Sequence, residues 1–243
     1  MRVNKTAILL WAISSFSFSA ANADVSVVTS IKPVHSLVSG VMEGVSSPIL
    51  IIEGAGSPHT YSLKPSQARQ LQDADLVFWM GDELETFLEG PIKNIAKSAK
   101  SIKLTDSHGL KKIKFREGGM FEEHDDHDDH GGHDDHGHDK HAKDDHDEHG
   151  HGEFDPHVWL DPINAKAIVH EIEEALVEVD PKNAKKYEAN ADRIAKEMDK
   201  LVEELREQLK PVQEKGFIVF HDAYQYFEQR FGVSAIGSIT VSP

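Results

Sequence analysis

Apolar and polar positions along the first part of the chain are spaced in the manner of an α/β protein. Short apolar runs at residues 25–30, 48–52, 75–80 and 101–104 are predicted as strands. Segments with apolar residues at helical spacing separate these runs, at residues 34–41, 66–73 and 84–99, and Pro91 is expected to break the last one. Strands that alternate with helices in this way predict a parallel sheet flanked by helices.

Two Asp-Pro pairs open the helices of the second part, because aspartate caps a helix N-terminus and proline suits its first turn. Asp161-Pro162 begins a helix that runs to residue 179, and Asp180-Pro181 begins a longer one that ends at Pro211. Three heptads bounded by prolines favour a helix that joins two lobes over a coiled-coil dimer. Its single apolar stripe consists of Tyr187, Ala191, Ile194, Met198, Leu201, Leu205 and Leu209.

A further strand–helix–strand pattern follows the long helix. Residues 216–220 are predicted as a buried strand that ends at His221, and residues 223–231 as a helix that stops at Gly232. Residues 233–240 have the composition of another strand. The pattern therefore predicts the beginning of a second α/β lobe.

Residues 122–153, here called the histidine tract, interrupt the chain with almost nothing but histidine, aspartate, glutamate and glycine. Such a segment has no apolar face to bury, so we predict a disordered loop. Its composition indicates low-affinity metal binding, because imidazole and carboxylate both bind transition metals. The tract histidines are His124, His127, His130, His133, His136, His138, His141, His146, His149 and His151.

The charge of the 243-residue chain is concentrated around this tract. Residues 122–155 hold fifteen acidic residues against two lysines, and so carry thirteen of the sixteen net negative charges. This acidic balance argues against nucleic acid as a partner. The chain has no cysteine, so a transition-metal site would have to be built from histidine, aspartate and glutamate.

The N-terminus has the pattern of a secretory signal peptide. Arg2 and Lys5 precede a short apolar stretch at residues 6–18, and Ala21-Asn22-Ala23 gives the small-residue cleavage pattern. We therefore predict cleavage after Ala23 and export. The apolar stretch is about half the roughly 20 residues that a membrane-spanning helix needs, and no later segment is long or apolar enough.

Three of the six histidines outside the tract lie where a ligand site is expected. His59 follows the second predicted strand, and His221 ends a later one, and ligands of open α/β sheets bind beyond the carboxyl ends of the strands. His157 lies between two Asp-Pro pairs, just before a helix. Three imidazoles without a thiolate are a zinc-type ligand set. The other three are His35, His108 and His170. The first is a weaker candidate, and the other two are expected to be structural or solvated.

Four segments in the same order resemble the metal-binding solute-binding proteins of bacterial ABC transporters, and most closely their zinc branch. They are SPHTYSLKPS at 57–66, DADLV at 73–77, DPHVWLDP at 155–162 and FHDAYQYF at 220–227. The resemblance covers essentially the whole predicted mature chain outside the tract. It implies two α/β lobes joined by a long helix, with the metal in the cleft between them. It also implies that His59, His157 and His221 are the first, second and third metal ligands.

Together with the signal-peptide pattern at 1–23, the resemblance implies three further parts of the chain. They are an N-terminal lobe at 24–179, a linking helix at 180–212 and the start of a C-terminal lobe at 213–243. In the family, a later part of this second lobe supplies an additional aspartate ligand. This chain is expected to lack that part, and with it half of the core of the second lobe. We therefore expect the 243-residue form to fold poorly or to bind zinc weakly. Histidine at the third ligand position implies zinc, since manganese-binding relatives tend to have glutamate there. Pro58 stands where some zinc members carry a glutamate.

The resemblance implies a periplasmic protein, expected to be a monomer, that captures Zn²⁺ and delivers it to an ABC-type membrane permease without acting as an enzyme. The tract would be a low-affinity collector or sensor of zinc. The alternatives are a manganese- or iron-binding member of the same family and a His-rich periplasmic metal buffer. A zinc hydrolase is disfavoured, because the chain has no H-E-x-x-H motif and no evident general base beside the three histidines.

Overall fold

A computed structural model describes residues 24–116 and 154–240 of the chain. Its central feature is a four-stranded parallel sheet with the strand order β2-β1-β3-β4. A second sheet consists of two parallel strands, β5 and β6. The strands are β1 (Val27–Thr29), β2 (Ile49–Leu50), β3 (Leu76–Trp79), β4 (Lys100–Lys103), β5 (Gly216–His221) and β6 (Ser234–Thr240).

Helices connect and cover these strands, which confirms the predicted α/β class. They are α1 (Lys32–Val41), α2 (Pro65–Gln72), α3 (Thr86–Asn94), α4 (Pro162–Val179), α5 (Ala184–Leu209) and α6 (Gln225–Phe231). Short 3-10 helices cover Leu104–Asp106, Val158–Leu160, Pro181–Asn183 and Lys210–Val212. None of the helices in the described part of the chain combines the length and apolar character needed to cross a bilayer.

The main core forms where helices pack on the first sheet. All four residues of β3 are buried, as expected for a parallel strand covered on both faces. Helix α4 contacts β3, and α1 and α5 pack against α4. The side chains of Val28, Val38 and Ile168 are fully buried in this core.

Two predicted elements of the first part differ in detail. The second strand is only two residues long, because the chain bends after Leu50, although Ile51 N–H still donates to Thr29 O at 2.9 Å. Helix α3 is shorter than predicted, and the expected break at Pro91 is wrong. The fully buried Leu88 holds the helix against the core, and Ile95 N–H donates to Pro91 O at 2.7 Å to close its last turn.

The long helix α5 confirms the predicted element and its end before Pro211, but it begins at Ala184, because a 3-10 helix over Pro181–Asn183 takes the place of its predicted first turn. Its apolar stripe is buried in the first half, at Tyr187, Ala191 and Ile194, where α5 packs against α1 and α4. Further along, Leu201 is 38% exposed. The apolar stripe is therefore a core contact only over part of its length.

The prediction of a buried fifth strand is wrong. Val219 is buried, but Ile218 is 66% and Phe220 is 71% exposed. Successive side chains of a strand point to opposite faces, and the exposures show that the described part of the chain covers only one face of the β5–β6 sheet. On β6, Ile236 and Ile239 are exposed as well. An apolar run alone therefore did not distinguish a strand buried on both faces from one buried on a single face.

Candidate metal centre

Each of the three histidines singled out in the sequence is delivered by a different segment. His59 lies in the loop between β2 and α2, and it is partly buried. His157 immediately precedes the 3-10 helix Val158–Leu160 and is only 5% exposed. His221 is the last residue of β5, which places it at the carboxyl end of a strand. The fold therefore brings together residues that are up to 162 positions apart.

The three imidazoles converge on one point. One ring nitrogen from each lies within 4.8 Å of the other two. The Nε2 atoms of His157 and His221 are 3.4 Å apart. With Zn–N bonds of about 2.0–2.1 Å, two nitrogens of a tetrahedral site are about 3.4 Å apart, so this pair has the spacing of zinc ligands. Among the described residues, this is the one group of three or more His, Asp or Glu side chains with converging ligand atoms.

The cluster lines a cavity of about 580 Å³ whose other walls are largely apolar. Apolar walls reduce the hydration of the imidazoles and therefore disfavour their charged form. The apolar residues that line the cavity include Ile52, Pro58, Trp159, Phe220 and Tyr224. Trp159 lies with its ring centroid 5.3 Å from that of His157.

Burial sets the charge state of two of these histidines. The pKa of His59 is lowered from 6.5 to about 4, chiefly by burial and to a smaller extent by the neighbouring His157 and His221, with Asp155 acting in the opposite direction. Burial also lowers the pKa of His221, with a smaller contribution from His157. Both rings are therefore neutral near pH 7, the form in which imidazole offers a lone pair to a metal.

His157 is held by a carboxylate that the sequence analysis did not single out. Asp155 Oδ1 accepts hydrogen bonds from His157 Nδ1 at 2.6 Å and from His157 N–H at 2.9 Å. Oδ2 of the same carboxylate accepts a hydrogen bond from Gln225 Nε2 at 3.1 Å. The contact between Asp155 and the His157 backbone could have been predicted from the Asp-Pro-His spacing, because aspartate commonly accepts a hydrogen bond from the backbone N–H two residues further along. The Gln225 contact spans 70 residues and had no local signal.

The other histidines of the described chain lie outside the cluster. His35 Nε2 is 3.3 Å from Pro48 O, and the exposed His170 lies beside Glu173 and Glu174. His108 is exposed in the loop after β4. The ten tract histidines and the predicted signal peptide at 1–23 lie outside the described residues.

The donor set suits a borderline metal ion. Three imidazoles favour zinc, copper or nickel over manganese and magnesium, which prefer oxygen ligands. No carboxylate of the described residues joins the three nitrogens. A tetrahedral ion bound here would therefore keep one position for a ligand other than these three.

Residues 27–243 match the family described as zinc-uptake complex component A, periplasmic. The high-affinity zinc uptake system protein ZnuA of Brucella abortus (strain 2308) is 54% identical over 226 residues. That match covers 89% of this chain and 68% of the relative. The ZnuA protein of Yersinia pestis is 38% identical over 222 residues, which cover 91% of this chain and 67% of that protein.

Solved structures with the same fold include the Zn(II)-bound ZnuA-like domain of Streptococcus pneumoniae AdcA. It superposes with a TM-score of 0.65 at 23% identity, over 88% of this chain and 66% of that one. The Mn-bound periplasmic metal-binding protein of Candidatus Liberibacter asiaticus gives a TM-score of 0.64 at 22% identity, over 87% of this chain and 67% of that one. These likenesses bear on the fold alone, whereas the family match bears on descent. The resemblance found in the sequence is thereby confirmed, and the chain belongs to the family of periplasmic zinc-uptake complex component A.

Proposed function

We propose that this protein captures Zn²⁺ in the periplasm and delivers it to the membrane permease of an ABC-type zinc uptake system. The observation that carries the proposal is the convergence of His59, His157 and His221 in one cavity. Membership of the zinc-uptake family supports it, as do relatives named for high-affinity zinc uptake. The ion is cargo in this role, and it leaves unchanged.

The protein's contribution is a ready-made set of neutral nitrogen ligands. His59 and His221 have lowered pKa values, so few protons have to leave when the ion binds. His157 has a carboxylate on its Nδ1, so its Nε2 is the nitrogen left to face the ion. Because the histidines come from separate segments, the movement of any one segment changes the number of ligands. This offers a physical route to release.

We infer the finer features of the protein from the same site and from the sequence. The signal peptide at 1–23 is cleaved after Ala23, and the mature protein is a periplasmic monomer. An N-terminal lobe at 24–179 and the start of a second lobe at 213–243 flank the linking helix at 180–212. The tract at 122–153 collects or senses zinc at low affinity.

A catalytic role is disfavoured. A hydrolase would need a general base beside the open position of the metal, yet no carboxylate joins the cluster in the described chain. Both oxygens of the nearby Asp155 already accept hydrogen bonds. A manganese- or iron-binding role is disfavoured by the three imidazoles, because these ions prefer more oxygen ligands.

Titration of Zn²⁺, Mn²⁺ and Fe²⁺ into the protein tests the proposal. We expect one zinc site that binds zinc more tightly than the tract does, and His221→Ala should weaken it by roughly 100-fold, because a zinc site of about 10–16 kcal/mol is shared among about four ligands. His170→Ala is the control, since His170 is exposed and outside the cluster. Unchanged zinc affinity in His221→Ala, or tighter binding of manganese than of zinc, would contradict the proposal. The first result would favour the alternative of a His-rich metal buffer.

A further inference from the structure

Asp155 occupies a junction between three segments of the chain. It is 1% exposed, and both its side chain and its backbone are hydrogen-bonded. Its N–H donates to Ile113 O at 2.9 Å, and its backbone carbonyl accepts from the Tyr226 hydroxyl at 2.7 Å. Tyr226 in turn accepts from Ile113 N–H at 3.0 Å. A closed set of hydrogen bonds therefore fixes the position of Asp155 relative to helix α6.

We propose that Asp155, held in place by Gln225 and Tyr226 of α6, is a positioning residue that sets the tautomer and the direction of the His157 imidazole. The inference rests on the proposed function, because it assigns His157 as a ligand. It adds that the ligand geometry of His157 is controlled from the helix that follows His221. Two of the three ligands are thereby coupled through one buried carboxylate.

The tautomer follows from the chemistry of the pair. An ionised carboxylate can only accept hydrogen bonds, so the 2.6 Å contact requires a proton on His157 Nδ1. In a neutral ring the proton is then absent from Nε2. That nitrogen faces His221 Nε2 at 3.4 Å, which is the side on which the cluster converges. Asp155 therefore leaves the lone pair of His157 on the nitrogen where an ion would be bound.

The direction of the ring follows from the support behind Asp155. Gln225 Nε2 fixes the second carboxylate oxygen at 3.1 Å, and Gln225 is itself only 7% exposed. Tyr226 is 1% exposed and fixes the backbone of the same residue. Both side chains belong to the first turn of α6, which begins four residues after His221. Removing a group that hydrogen-bonds to a metal-ligating histidine typically lowers metal affinity by about 10–100-fold.

The test is the protonation pattern of His157 in the metal-free protein, measured by ¹⁵N NMR of histidine-labelled chain above the ordinary imidazole pKa. The His157 signals are assigned by their loss in His157→Ala. We expect Nδ1–H with an unprotonated Nε2 in the wild-type protein. Asp155→Ala should allow the Nε2–H form, whereas Asp155→Asn should retain Nδ1–H, because the amide oxygen still accepts. A wild-type ring protonated on Nε2, or an unchanged ring in Asp155→Ala, would overturn the inference.

Asp180→Ala is the matched control for a merely structural role. Asp180 is also buried, and it accepts hydrogen bonds from Tyr187 Oη at 2.8 Å and from Asn183 Nδ2 at 2.7 Å, at the α4–α5 junction. We expect it to lower the melting temperature without altering the His157 signals or zinc binding. Should Asp155→Ala fail to fold, the tautomer of the wild-type ring and that of Asp155→Asn still test the inference. Loss of the Nδ1–H form in Asp155→Asn would contradict it, because the amide oxygen can still accept the hydrogen bond.

Zinc titration of the same variants completes the test. Asp155→Ala should weaken binding by about 10–100-fold, and Asp155→Asn by less. In a His157→Ala background, Asp155→Ala should have almost no further effect, since Asp155 acts through His157. Equal losses in both backgrounds would overturn the inference. If the wild-type protein binds zinc no more tightly at the three histidines than at the tract, the proposed function fails, while the NMR result on the metal-free ring still stands by itself.

Discussion

Two regions of this chain hold thirteen of its sixteen histidines, and they place them in opposite surroundings. The tract has ten histidines among aspartates and glutamates that are adjacent in sequence. The cluster has three, drawn from segments far apart in sequence and collected in an apolar cavity. Its nearest carboxylate, Asp155, contacts the Nδ1 side of His157 and leaves the convergent side to nitrogen.

The difference between these regions is a difference in how a metal affinity is produced. In the loop predicted at 122–153, many adjacent imidazoles and carboxylates would provide numerous ligand combinations, and ordering any one of them around an ion would cost conformational entropy. The folded chain has already ordered the three histidines of the cluster. A preorganised set of few ligands can therefore bind more tightly than a larger set that lacks fixed positions.

Deleting residues 122–153 gives the largest expected change in the amount of metal bound. We expect the zinc stoichiometry to fall to one ion per chain, while the affinity of the tight site changes by less than about threefold, because no described cluster residue is removed. The bridge between Lys114 and Phe154 already places the described segments on either side of the deletion next to each other. The complementary variant, His157→Ala with His221→Ala, should keep only weak sites. Loss of the tight site with the tract would reverse the assignment of the two regions.

The pH at which metal is lost should differ between the regions. Protons compete with zinc at His59 and His221 only below the lowered pKa values of these two histidines, whereas carboxylates around the tract histidines favour the charged imidazole. Zinc should therefore leave the tract at a pH higher by about one unit or more than the cluster. Zinc retention from pH 8 downward, compared between the two variants above, measures the difference. The same midpoint in both would show that the cavity does not protect its histidines.

The lowered pKa of His59 should also affect how the stability of the metal-free protein depends on pH. The unfolded chain binds protons on His59 near pH 6.5, and the folded chain does so only near pH 4. The stability that His59 contributes by staying neutral is therefore fully present above pH 6.5, and it is lost as the pH drops from 6.5 toward 4. For the partly exposed His59 we expect a loss on the order of 1 kcal/mol after allowance for solvent screening. His59→Ala should reduce this acid sensitivity in urea unfolding, and His170→Ala should leave it unchanged.

The sequence was sufficient for much of the cluster and for the outline of the fold. His59 and His221 were marked by their position after predicted strands, and periodicity located the long helix α5. The sequence did not predict contacts between residues that are far apart along the chain. The roles of Gln225 and Tyr226 depend on bonds across about 70 residues, and no periodic pattern encodes such a pairing.

The exposure of β5 was missed for a related reason. An apolar run indicates a strand, but whether one face or both are covered depends on which other segments pack there. In the described chain only Val219 of this run is buried, and Ile218 and Phe220 face outward. The β3 run has a similar composition and is buried throughout. Local sequence did not separate the two cases because the difference lies in the neighbouring layers.

Glu85 offers the smallest expected effect on zinc and an independent check on the pH comparison. Burial raises the pKa of this carboxyl from 4.5 to about 7, against the opposing hydrogen bonds. Main-chain N–H groups of Met80 and Gly81 donate to its Oε2 at 2.7 and 3.3 Å. The folded chain therefore holds a proton between pH 4.5 and 7 that the unfolded chain has lost. Stability from this group should accordingly fall as the pH rises through that window, which is opposite in sign to the effect of His59.

Glu85→Gln should remove that dependence, because the amide does not ionise and its oxygen can still accept from Met80 N–H. At pH 8 we expect the variant to be more stable than the wild-type protein by about 1–2 kcal/mol, with zinc affinity unchanged, since Glu85 does not line the cavity. Glu89→Gln, at an exposed position in the first turn of helix α3, which directly follows Glu85, is the matched control. Urea unfolding of the metal-free proteins at several pH values measures the effect. If the wild-type protein, Glu85→Gln and Glu89→Gln showed the same pH dependence, the ionisation of Glu85 would not change the free energy of unfolding. The loss of stability in acid assigned to His59 would then need no correction for Glu85.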